Sequence, residues 1–163
     1  MNPEPITFEK LLAALATAQV DFLCVGGVAC SLCGFVRATE DVDILVARQP
    51  ANLEKLLTEL RGFGEGSARE LTAADFTDEE GAIRVVEDFP VDIFVRMRGH
   101  TYEALLTYRR WHDVAGVRIP YLGPDGLILL KQESWREKDR LDVAALQCLQ
   151  AEEGNKRSKS TRL

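Results

Sequence analysis

The sequence predicts a mixed α/β (α+β) domain, in which a small mixed sheet carrying three carboxylates is flanked by helices and followed by a C-terminal helix. Three observations lead there. Segments with helical and with strand periodicity alternate from the N-terminus in the order helix, strand, helix, strand. The strand candidates are short, apolar and bounded by Gly, Pro or acidic turns. The length of 163 residues, with 46% hydrophobic, 28% charged and only 7% aromatic residues, fits a single core and excludes fibrous, collagen-like and wholly disordered chains.

Taken in order, Phe8, Leu11, Leu12 and Leu15 recur at helical spacing, so a helix runs from about Thr7 to Gln19, with Thr7 as N-cap and Ile6 and Leu11 as a hydrophobic staple. Phe22–Val25 is an apolar strand stopped by Gly26-Gly27, and Val28–Phe35 is a helix of small residues that Gly34 can close. Asp41–Val46 is a strand with Val42, Ile44 and Val46 on one face and Asp41, Asp43 and Leu45 on the other. Ala51–Leu60 is amphipathic through Leu53, Leu56, Leu57 and Leu60. Residues 61–81 are polar and Gly-rich, with an acidic tip at Asp75, Asp78, Glu79 and Glu80, and match no element. Ile83–Val86 and Val91–Val95 are strands around a turn at Glu87–Pro90, natural partners for the strand at Asp41. Tyr102–Tyr108 is a short helix, and Trp111–Val114 and Val117–Pro120 form a hairpin around Ala115-Gly116. Pro124 opens a helical stretch from Asp125 to about Leu149, with a break near Trp135.

Organisation is simple: residues 1–153 form one domain, and residues 154–163 form a flexible basic tail without apolar anchors. The net charge of −6 argues against a body coated in cations for a nucleic-acid backbone, although the tail holds four cations and no acid. The first ten residues contain no apolar stretch resembling a secretory signal. The longest uncharged run, Phe22 to Val36, is too short to span a bilayer, so no membrane partner is expected and the cytoplasm is the default location. Cys24, Cys30, Cys33 and Cys148 all sit among apolar residues and read as reduced, packed thiols. The Cys30-x-x-Cys33 spacing also suits a redox or metal pair, but no second Cys/His pair accompanies it, and His100 and His112 lack ligand spacing.

Three features carry chemistry. The Gly26-Gly27 turn between a buried strand and a helix gathers unpaired backbone N–H groups at a positive helix end, which suits a phosphate, although such glycines also serve tight packing. Asp41 and Asp43 leave the same strand face, and two hard oxygen ligands on a rigid strand suit Mg²⁺; a solvated sheet edge is the alternative. Asp92 lies inside the apolar strand Val91–Val95, where an unpaired carboxylate is costly and needs a cation. If that strand pairs beside Asp41–Val46, the three carboxylates converge next to the Gly-Gly turn, and such a trio can hold two divalent ions about 4 Å apart.

The run Val25-Gly26-Gly27, a thirteen-residue spacer, Asp41-Val42-Asp43-Ile44 and the later Asp92 resembles the signature of the polymerase-β-like nucleotidyltransferase superfamily over about residues 20 to 96. Arg37-Ala38-Thr39-Glu40-Asp41-Val42-Asp43 and the block from Lys131 to Asp142 are similar to motifs of its bacterial AbiEii-like branch, and the chain length also suits the minimal nucleotidyltransferases. Asp139 and Asp142 share a helix face in that block; the alternative is an amphipathic helix with solvated charges.

The resemblance implies a nucleotidyltransferase fold and a Mg²⁺-dependent transfer of a nucleoside monophosphate from an NTP, such as ATP, to a hydroxyl of tRNA or other RNA, a protein or a small molecule. By it, Gly26 and Gly27 bind the β- and γ-phosphates, Asp41 and Asp43 bridge two Mg²⁺ ions, and Asp92 completes the acceptor-side metal and helps remove the hydroxyl proton. Lys131 neutralises the triphosphate, Arg37 or Thr39 orients phosphates or braces the strand, and Asp139 and Asp142 tie Lys131 or Arg136 in place. The resemblance further implies a cognate toxin or antitoxin partner, or a place in phage defence. A non-catalytic NTP-binding or partner-binding module on the same fold is the competing expectation.

Overall fold

The computed structural model describes residues 7–36, 38–63, 66–132, 134 and 136–160. Helix α1 (Phe8–Thr17) is capped by Thr7, whose hydroxyl accepts from the Lys10 N–H at 3.2 Å, and buries Leu11, Leu12 and Leu15. The expected staple through Ile6 lies outside the described residues. Strand β1 (Phe22–Val25) is buried along its whole length, and helix α2 (Gly26–Leu32) follows it directly. The sequence places the start of α2 two residues later; the positive φ of Gly26 bends the chain at once, so the glycines form its first turn.

Strand β2 (Val42–Val46) leads to helix α3 (Pro50–Arg61), which carries the four expected leucines inward. Buried Asn52 pins α3 to the ends of β1 and β2, accepting from the Asp21 N–H and donating to the Asp21 and Ala47 carbonyls. Residues 66–81 fold as turns and one 3₁₀ turn (Ala73–Asp75), held by Arg61 on the Leu71 carbonyl and Arg48 on the Phe76 carbonyl. Strands β3 (Ala82–Val86) and β4 (Pro90–Phe94) make the expected hairpin. A small ribbon of β5 (Arg96–Met97) and β6 (His100–Thr101) precedes helix α4 (Tyr102–Leu105).

The second hairpin, β7 (Arg109–Val114) and β8 (Val117–Leu122), turns at Ala115 and Gly116, both at positive φ. The six-stranded mixed sheet has the order β3-β4-β2-β1-β8-β7. Strand β2 is antiparallel to β1 and parallel to β4, while β8 is parallel to β1. The core fills around the three central strands, with Leu23, Ile44, Leu45 and Ile93 buried between helices, each contributing roughly 1.5–3 kcal/mol.

Two helices close the chain, α5 (Pro124–Lys131) and α6 (Glu137–Ser160). The break falls where the sequence suggests, though Trp135 itself lies outside the described residues. The expected tail differs: α6 continues through residues 154–160, where no proline stops it and Gly154 has open space around it. The cysteine expectation is corrected in part, since Cys24 and Cys30 are buried and Cys33 half-buried, whereas Cys148 is exposed on α6. No helix among the described residues is long and apolar enough to cross a membrane.

Candidate active site

The site is assembled by strand register. Across three adjacent strands, Val25 on β1 faces Asp43 on β2, and Asp43 faces Asp92 on β4. Asp41 stands one residue before β2, and ligand oxygens of Asp41, Asp43 and Asp92 all lie within 4.8 Å of one another. Asp92 is 8% exposed, between buried Val91 and Ile93.

Gly26 follows Val25 and meets this row edge-on. Its φ is +68°, and a Cβ added there would fall 2.1 Å from Asp43 Oδ2. Only glycine fits, for conformation and for space alike. Gly27, Thr39, Lys131 and Arg136 line the same cleft, whose volume is about 790 Å³. Arg37 lies outside the described residues.

Electrostatics follow from this crowding. Burial, reinforced by the negative charges of Asp41 and Asp92, pushes the Asp43 carboxyl up to about 7, against the pull of the Lys131 ammonium. Lys131 is itself held: its Nζ donates to Asp142 Oδ2 at 2.7 Å and Asp139 Oδ1 at 3.3 Å. Ser134 Oγ donates to Asp139 Oδ2 at 2.6 Å and accepts from the Arg136 N–H at 3.2 Å. Despite the cost of burial, the Ser134 hydroxyl and the Lys131 ammonium hold the Asp139 carboxyl below its ordinary range. Asp139 and Asp142 thus tie Lys131, and the Arg136 charge also helps to hold Asp139 ionised.

One residue of the site escapes the sequence reading. Arg84 on β3 donates Nε to Asp92 Oδ1 at 2.8 Å and Nη2 to Asp92 Oδ2 at 2.9 Å, and the same Nη2 reaches Asp41 Oδ2 at 3.3 Å. The signal was available: a hairpin centred on Asp88 sets Arg84 opposite Asp92. The unplaced acidic tip also reaches the cleft wall, where the Glu80 carboxylate accepts the backbone N–H groups of Arg98 and Gly99.

Three hard carboxylate oxygens at this spacing, one of them disfavouring ionisation because its neighbours are anionic, form a donor set that fits a divalent cation. No protein-family model and no curated protein matches the sequence. Among solved structures, a proposed nucleotidyltransferase from Thermotoga maritima aligns over 94% of this chain and 91% of its own at a TM-score of 0.50 and 16% identity. A nucleotidyltransferase-like antigenic protein from Paracoccidioides brasiliensis aligns over 96% and 93% at a TM-score of 0.47 and 18% identity. The first likeness, together with the carboxylate-bearing mixed sheet, identifies the fold as that of nucleotidyltransferases.

Proposed function

We propose that the protein is a Mg²⁺-dependent nucleotidyltransferase of the cytoplasm that moves a nucleoside monophosphate from an NTP to an acceptor hydroxyl and releases pyrophosphate. The observation that carries this reading is the meeting of Asp41, Asp43 and Asp92 beside Gly26-Gly27 and Lys131 in one cleft. Bound divalent cation supplies charge neutralisation at the transferring phosphate and the leaving pyrophosphate.

The chain's own residues do the rest. Asp41 and Asp43 hold the cation; the backbone N–H groups of Gly26 and Gly27 receive the β- and γ-phosphates. Lys131 faces the triphosphate as a point charge, kept from swinging away by Asp139 and Asp142. Thr39, on the cleft wall, and Arg37, two residues before it in sequence, orient the phosphates or brace the strand. The acceptor oxygen forms its bond to the α-phosphorus, the α–β bridging bond breaks, and the hydroxyl proton passes to the carboxylate trio. Asp92 completes the acceptor side of the trio and helps remove the hydroxyl proton.

The buried cluster from Lys131 to Asp142 supports the AbiEii-like branch, and with it an RNA, tRNA or protein acceptor and a toxin–antitoxin or phage-defence setting. The test is incubation with Mg²⁺ and each α-labelled NTP, alone, with tRNA and with cell lysate. Label should appear on an acceptor and be lost with Asp41→Asn or Asp43→Asn. Saturable NTP binding without transfer under every condition would leave the non-catalytic module in its place.

A further inference from the structure

Arg84 has no part in the reading above, yet it is the residue most intimately bound to the trio. Its place is set by register: β3 and β4 pair Arg84 directly with Asp92, which brings the two side-chain origins to about 5 Å. The planar fork takes both Asp92 oxygens and bridges to Asp41 Oδ2 at 3.3 Å. The described hydrogen bonds of Arg84 go to Asp92 and Asp41; Asp43 lies beside Asp92 in register and against Gly26, and the guanidinium acts on it by charge alone. The Asp41–Asp92 edge of the trio is therefore spanned by a protein cation, while the Asp41–Asp43 edge, beside the glycine turn, is not. Three carboxylates and one permanently charged guanidinium leave two negative charges, which one divalent ion balances.

We infer that the Arg84 guanidinium stands where a second metal ion would otherwise sit, so that the trio takes one divalent cation, at Asp41 and Asp43, with Asp92 held by the protein itself. The inference rests on the nucleotidyl-transfer reading of the same cleft. It makes Arg84 a positioning residue: it fixes the Asp92 carboxylate on the acceptor side and supplies there a charge that cannot dissociate.

The test is calorimetric titration of Mn²⁺ into metal-free protein, read as ions per chain. Wild type should bind one ion, Arg84→Met should bind two, and Asp92→Asn with Arg84 intact should still bind one. Because Arg84→Met leaves the trio without its countercharge, its melting temperature should fall in EDTA and recover with Mn²⁺, which separates loss of fold from loss of a site. Two ions on wild type, or a single ion on Arg84→Met, would overturn the inference and leave the nucleotidyl-transfer reading standing. Loss of the ion in Asp92→Asn would overturn it too, since the ion would then depend on the carboxylate assigned to Arg84. No ion on wild type or any variant would overturn both.

Discussion

Asp43 and Gly26 are a matched pair, in which a carboxyl is pressed against a position where any side chain would collide with it. Burial and two neighbouring carboxylates raise Asp43 from 3.8 to about 7, so the folded protein keeps a proton that the unfolded chain releases. Stability of the metal-free protein must therefore fall as the pH rises from about 4 through 7, with the loss complete above that. In EDTA at pH 8, Asp43→Asn should melt a few degrees above wild type, and the gap should narrow as the pH is lowered towards 5; equal melting temperatures at pH 8 would contradict this origin. Gly26→Ala should do the reverse. It forces a Cβ into the Asp43 carboxylate at a φ of +68°, so it should cost at least about 1–2 kcal/mol in a denaturant titration and abolish Mg²⁺-dependent nucleotide binding with the circular dichroism unchanged.

Among the elements, the junction of α5 and α6 is tied by charge. Lys131 is 13% exposed and the Asp142 side chain 2%, so neither ion of this pair has much water to fall back on. Asp142→Asn should lower stability by about 3 kcal/mol and loosen the nucleotide site, measured as a rise in the dissociation constant for NTP; an unchanged constant would detach Lys131 from the phosphates. Most elements were legible because their physics is local. Alternating apolar residues mark β2, Thr7 caps α1, and a charge inside the otherwise apolar Val91–Val95 marks Asp92 as a residue that needs a partner. What the partner was, and how the hairpins dock, depends on pairing between distant segments. Joining β8 to β1 requires Cys24 to meet Tyr121, a contact that no local pattern encodes. The turns of 66–81 are stabilised by arginines on backbone carbonyls and by Asp78 on Arg96, interactions that leave no periodic trace. The extension of α6 through 154–160 likewise has no local signature, since Gly154, Asn155, Ser158 and Ser160 are weak helix formers and the segment has no apolar face.

At the scale of the whole molecule, a chain of net charge −6 gathers Asp41, Asp43 and Asp92 into one cleft, and Lys131 and Arg84 bring positive charge to the same place. Residues 154–156 are exposed, so deleting 154–163 should leave the melting temperature within about two degrees and NTP binding unchanged, while weakening any affinity for RNA in a salt-dependent manner. A large loss of NTP binding on that deletion would place the end of α6 in the site. The central claim, that three carboxylates on β2, on β4 and just before β2 make a metal-dependent site for nucleotidyl transfer, is tested most directly by pyrophosphate release. With purified protein, NTP and an acceptor pool, release should require Mg²⁺, stop with EDTA, and fall at least about a hundredfold with Asp41→Asn or Asp43→Asn. Release that persists in EDTA, or that is the same in either variant as in wild type, would contradict it.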